Sequence, residues 1–164
     1  MTSSFSFGAF LSAAAPEFAS PTTRRCGAIR RLNSSLTSPD VRVAGCRFEG
    51  MQSLTLVNAG KAEIVDNLFS CTDKGLYLLN SPEARVERNV FNGGNGAQQG
   101  MEIAGSPHVT VVHNRFAGLQ VGVYARSASS YSVLAGNAFE SCARALSAVD
   151  SKGTMIVDHR AINR

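Results

Sequence analysis

The stretches ARVERNVFNG (Ala84–Gly93) and VTVVHNRFAG (Val109–Gly118) share one pattern. Apolar and variable residues alternate, and the run closes on Asn, any residue, Phe. The same close recurs at Asn67-Leu68-Phe69 and Asn137-Ala138-Phe139. Upstream, Cys46-Arg47-Phe48 carries Cys in the Asn place. Downstream, His159-Arg160-Ala161 has both positions changed. The column through Phe48, Phe69, Phe91, Phe116, Phe139 and Ala161 advances by 21, 22, 25, 23 and 22 residues. A near-constant period of this length marks a solenoid of stacked repeats.

A second motif falls between the Phe sites: SLTLVNAG, GLYLLNSP, GMEIAGSP, GVYARSAS and ALSAVDSK. Each begins with a small residue, alternates with period two, then turns on Ser, Gly, Asn, Asp or Pro. The turns echo as well, in SPDVRV, SPEARV and SPHVTV. Period-two alternation bounded by such residues predicts two or three short strands per repeat and no helix. Strands one repeat apart run the same way, so stacking them gives parallel sheets at about 4.8 Å per step. Five steps make a stack of roughly 24 Å. Leucine-rich repeats also place apolar residues before an Asn at a similar period. They usually return through a helix or an extended segment, whereas here a second alternating strand follows at once.

The pattern G-[apolar]-x-[apolar]-x-x-S followed by V-x-x-N-x-F resembles the right-handed parallel β-helix superfamily. Its members include pectate-lyase-like enzymes, mannuronan C5-epimerases and periplasmic accessory proteins of copper enzymes. The resemblance covers about residues 38–164. It implies an all-β, right-handed parallel β-helix of about six coils, and it is weak for activity because the motif is structural.

In such a stack, Asn67, Asn89, Asn114 and Asn137 are expected to form a ladder. An amide is both donor and acceptor, so identical Asn residues can bond from coil to coil. Asn also tolerates the left-handed backbone of a tight bend. Phe48, Phe69, Phe91, Phe116 and Phe139 are expected to stack inside the next strand.

Residues 1–37 read differently. They are rich in Ser, Ala, Thr and Arg, and FSFGAFLSAAAPEFA resembles the apolar part of an export signal without its basic start. An organelle signal, an unstructured leader and a misplaced start site remain open readings. The net charge of +4 divides into +3 over residues 1–31 and +1 over residues 32–164. A nearly neutral body disfavours a nucleic-acid surface. No apolar run is long enough to span a bilayer. Secretion or a periplasmic location is the expectation.

The three histidines, His108, His113 and His159, have no zinc-ligand spacing, and there is no Cys-x-x-Cys. Neither a metal centre nor a cofactor is expected. Cys71 and Cys142 fall three coils apart, roughly 14 Å at strand spacing, beyond the reach of about 7 Å for a disulfide. The cysteines are therefore expected as buried or half-buried thiols, with no structural disulfide.

Outward positions in the strands after Phe give one column of Thr55, Tyr77, Glu102, Tyr124 and Ser147. Arg126 stands in the next column, with Val57, Leu79, Ala104 and Val149. The longest insertion, NGGNGAQQ (residues 92–99), enters the Glu102 strand. In enzymes of the superfamily the substrate groove often lies along this sheet. Aromatic faces suit sugar rings and Arg can hold a carboxylate. Tyr77, Glu102, Tyr124 and Arg126 are thus the candidate carbohydrate-binding residues. They are also the candidate catalytic set, with Tyr77 or Tyr124 as base, Arg126 neutralising charge and Glu102 assisting. The calcium-binding acidic cluster expected of a pectate lyase is not apparent. Acidic residues flanking His108, as in the epimerase motif, are absent too.

A further outward column reads Arg42, Glu63, Arg85 and Thr110, expected as a surface charge ladder. Asp66, Arg88 and His113, just before the ladder Asn, read as a solvated turn. The ends look poorly capped, which implies further coils or end-to-end self-association. The leading functional expectation is a non-catalytic polysaccharide-contacting or structural module of an exported protein. The alternatives are a lyase or C5-epimerase for acidic polysaccharide, and a protein-interaction scaffold.

Overall fold

The computed structural model describes residues 22–25, 34–36, 41–94 and 97–162. Two short strands come first, β1 (Thr22–Arg25) and β2 (Ser34–Leu36). They pair in parallel with β3 (Val41–Ala44) and β4 (Arg47–Val57) of the first complete turn. Strand pairing thus begins inside the stretch read as a leader, most of which lies outside the described residues. The second turn holds β5 (Glu63–Val65) and β6 (Leu68–Leu79). The third holds β7 (Arg85–Glu87), β8 (Val90–Gly93) and β9 (Gln99–Ala104). The fourth holds β10 (Thr110–Val112), β11 (Arg115–Ala117) and β12 (Val121–Arg126). The fifth holds β13 (Val133–Ala135), β14 (Ala138–Glu140) and β15 (Arg144–Ala148). Strands β16 (Met155–Val157) and β17 (Arg160–Ile162) start a sixth.

All pairings are parallel, and no helix occurs among the described residues. The chain is a right-handed parallel β-helix of about five turns, slightly fewer than the six expected. One sheet runs β1-β3-β5-β7-β10-β13-β16. The other gathers the Phe strands and the strands that follow them. In β4 and β6 these two runs are one long bent strand, and in later turns they separate.

The Phe column stacks as expected. Successive rings from Phe48 to Phe139 lie nearly parallel, with centroids 4.9, 4.6, 4.7 and 5.0 Å apart. The small residue that opens the second motif makes room for them. A methyl group on Gly75 would lie 2.8 Å from Phe91, one on Gly100 2.6 Å from Phe116, and one on Gly122 2.5 Å from Phe139. Ile64, Val86, Val111 and Leu134 from the other sheet, and Leu56, Leu78, Ile103 and Ala125 from the strands that follow the Phe sites, pack into the same core.

The Asn ladder is buried and continuous. Backbone N–H groups of Cys46, Asn67, Asn89 and Asn114 donate to Oδ1 of the Asn one turn on, at 2.9, 2.9, 2.8 and 2.9 Å. Each ladder amide also donates to a core-facing carbonyl, as Asn67 does to Val43 and Asn89 to Ile64. A second ladder runs through the turn serines. Backbone N–H groups of Ala59, Ser81 and Ser106 donate to Oγ of Ser81, Ser106 and Ser129 at 3.0, 2.8 and 3.2 Å.

Two expectations are corrected. The left-handed backbone belongs to the residue before each ladder Asn: φ is 55° at Asp66, 51° at Arg88 and 53° at His113. The Asn is committed to the interior, so the bend falls one residue earlier, where the side chain can reach water. Cys46 is disulfide-bonded. The spacing argument excluded only the Cys71–Cys142 pair, and those two are free thiols. Cys71 is buried deeply enough to raise its pKa to about 11.

Candidate functional site

Parallel register puts Tyr77 of β6 beside Glu102 of β9, and Glu102 beside Tyr124 of β12. Thr55 and Ser147 extend the column at either end. Arg126 sits opposite Ala104, two residues further along. The column built from periodicity is therefore the column in the structure, and it brings all four candidate residues together.

Their chemistry differs from that of an open acid–base site. Glu102 points out of the sheet, yet only 2 % of its surface is exposed. Its Oε1 accepts from Arg126 Nε at 2.5 Å, and its Oε2 accepts from Lys74 Nζ. Arg126 also donates to the Tyr77 hydroxyl at 3.3 Å and to Ser127 Oγ at 3.2 Å. The hydrogen bond to Glu102, and then its charge, hold the Arg126 pKa above the ordinary arginine value. Lys74 Nζ lies 5.2 Å from the centroid of the Tyr77 ring, within cation–π range. The two cations remain accessible: 22 % of the Lys74 side chain and 38 % of the Arg126 side chain face solvent.

Lys74 was not anticipated. It precedes the small residue of GLYLLN and so lies ahead of the alternating run. It is also next to a register irregularity, since the preceding strand slips between Gly50 and Gln52. The NGGNGAQQ insertion is anchored beside it. Gly94 N–H donates to the Cys71 carbonyl and Gln98 N–H to the Asp73 carbonyl, at 3.0 and 3.2 Å. Residues 95 and 96 lie outside the described residues.

The other expected charge columns are surface pairs. Arg42 bonds Glu63 at 2.7 Å, while Arg85 turns to Glu87 of its own strand at 2.8 Å. Arg88 grips Asp66 through two bonds of 2.8 and 3.0 Å, which lowers the Asp66 pKa. A groove of about 550 Å³ lies along this corner, between Arg47, Asp66, Leu68, Arg88 and Val90. It is separate from the Glu102 cluster, and the cations that line it already hold carboxylates.

On the outer face of β13 and β16, Val133, Met155 and Val157 are exposed, with Tyr131 at the adjoining corner. Val133 pairs with Met155 and Ala135 with Val157, so these side chains are neighbours. Tyr131 is 61 % exposed and stacks on His108 with centroids 5.6 Å apart.

Residues 24–158 match the family described as periplasmic copper-binding protein (NosD). No curated protein and no solved structure matches the chain.

Proposed function

The chain belongs to the NosD family of periplasmic copper-binding proteins; we propose that it acts as an exported, non-catalytic β-helix module, and, on the chemistry of the Glu102 cluster alone, that it contacts acidic polysaccharide along β6, β9 and β12. The family description agrees with the secreted or periplasmic location expected. It also names copper, for which imidazole, thiolate and thioether are the suitable ligands. Among the described residues no three His, Cys, Asp or Glu side chains come together. His108 and His113 occupy different corners, Cys46 is in a disulfide and Met101 is buried in the core. The described residues do not fit a copper centre.

The observation that carries the glycan reading is the state of Glu102. Each of its oxygens accepts from a cation and only 2 % of the side chain is exposed, so it offers a substrate proton little access. The groups around it, two tyrosines and two partly exposed cations, suit binding of an anionic sugar polymer. The test is incubation of the folded protein with polygalacturonate, alginate and neutral glycans. Binding is followed by calorimetry, and the polymer by mass spectrometry and proton NMR. Retention of an acidic polymer with unchanged chains is expected. Unsaturated ends or inverted C5 centres would instead establish the lyase or epimerase alternative, acting around Tyr77, Glu102, Tyr124 and Arg126.

A second reading, a scaffold for a protein partner, is favoured by the exposed cluster of Tyr131, Val133, Met155 and Val157. Contiguous exposed apolar side chains of this kind mark interaction surfaces. The same patch is compatible with end-to-end or side-by-side self-association. Light scattering of the wild type and of Val133→Ser/Met155→Ser separates these outcomes from a monomeric glycan binder.

A further inference from the structure

We propose that Lys74 and Arg126 form a two-point clamp for a single sugar carboxylate, and that Glu102 is the positioning residue that holds the clamp open. This rests on the glycan-contacting reading above and specifies its ligand as a uronic-acid polymer.

The argument begins with charge. Lys74 and Arg126 contribute +2 and Glu102 contributes −1, leaving a local excess of one positive charge. One monoanion balances it. Donor counting points the same way. An ammonium carries three N–H donors and a guanidinium five. Lys74 spends one on Glu102. Arg126 spends one on Glu102, one on Tyr77 and one on Ser127. Two donors on each residue are left, on side chains that face solvent.

Geometry selects the anion. The planar guanidinium fork matches the two coplanar oxygens of a carboxylate, whereas the ammonium is an adaptable point charge. The two cations come from different turns, Lys74 from the second and Arg126 from the fourth, and Glu102 of the third lies between them. A buried carboxylate bonded to both fixes their separation, which free surface side chains lack. Tyr77 and Tyr124 flank Glu102 at one strand step each, so an aromatic face stands on either side of the bound sugar.

The test uses the full chain and three probes: oligogalacturonate, its methyl ester, and a sulfated galactan. Wild type is expected to bind oligogalacturonate at least tenfold more tightly than either of the others. Lys74→Met and Arg126→Met should each lower that affinity about tenfold, the effect of one charge-assisted hydrogen bond. Arg126→Lys should keep anion binding and lose the preference for carboxylate over sulfate, which a purely structural Arg126 would not do. Circular dichroism checks that each variant is folded, and Lys74→Met stands alone if an Arg126 variant is not. Equal binding of the methyl ester, or of the sulfated polymer, overturns the clamp. So does unchanged selectivity in Lys74→Met and Arg126→Lys, while glycan contact itself survives. Failure of the folded wild type to bind any glycan removes both this inference and the reading beneath it.

Discussion

Asn89 gives two hydrogen bonds to one atom of Asn114: its backbone N–H and its Nδ2 both donate to Oδ1, at 2.8 and 3.0 Å. Asn114 in turn donates to the carbonyls of Val86 and Val112, at 2.9 and 3.0 Å. With a further bond from its Nδ2 to Asn137 Oδ1 at 3.1 Å, this one buried side chain joins groups from three successive turns.

Asn114→Ala should strand the Asn89 amide and the carbonyls Asn114 had satisfied. A cost of about 3 kcal/mol is expected, since each buried polar group left unpaired costs about 1–3 kcal/mol. Urea denaturation measures it. Asn114→Ser, whose single hydroxyl proton cannot serve the carbonyls of both Val86 and Val112, should recover only part of the loss.

Gly100→Ala tests the space under the Phe stack. The added methyl meets Phe116 at 2.6 Å and the Gly122 carbonyl at 2.7 Å, and the latter is backbone that cannot rotate away. Destabilisation of about 1–3 kcal/mol is expected from such overpacking. Gly94→Ala, where the nearest atom is 3.7 Å away, should be nearly neutral in the same melt.

Arg126→Met leaves Glu102 buried with only Lys74 as partner. Removal of one side of a buried ion cluster should cost about 2 kcal/mol. The double variant Arg126→Met/Glu102→Leu should regain much of that, because the buried carboxylate is gone and the remaining cation, Lys74, is partly exposed to solvent. An additive result in the double-mutant cycle would mean that the two residues are not coupled.

The Cys71 thiol links stability to alkaline pH. Burial raises its pKa from about 9 to about 11. Above about pH 9 the unfolded chain loses this proton while the folded chain keeps it, so unfolding releases protons and stability falls as pH rises. The decline should level off beyond about 11, and Cys71→Ala should lack it. In native protein at pH 8, a thiol reagent should label the half-buried Cys142 well before Cys71.

Reduction should release two thiols from the disulfide that includes Cys46. A loss of about 2–5 kcal/mol on reduction is typical for a small exported domain. Thermal melts with and without dithiothreitol measure it.

What the sequence revealed follows from what repeats. An Asn or Phe ladder works only if each turn carries the same residue, so the demand is written as a period. Outward columns inherit that period, and hence Tyr77, Glu102 and Tyr124 could be aligned without coordinates. The features missed occur once or break step. Lys74 pairs with Gln52 and Gln99, so its charge is not repeated in the neighbouring turns, and it lies beside a register slip. The Cys46 disulfide is a single crosslink, invisible to an argument about equivalent positions. The serine ladder does repeat, but Ser81 and Ser106 stand in SP pairs, whose sequence signal is that of a turn and hides the ladder. That Glu102 is buried could not be read at all, since burial of an outward residue depends on how far its neighbours lean over it.

Lys74, Glu102 and Arg126 belong to three consecutive turns, and none of these turns holds more than one member of the group. The site is consequently a property of the stack and of no single repeat. Any event that adds, removes or slips one turn between Gly75 and Tyr124 would change the spacing of the two cations by a strand step while every remaining repeat stayed intact. Repeat proteins commonly change length by gaining or losing whole units. Here such a change would erase the site silently, with the ladder restored and the surface chemistry gone.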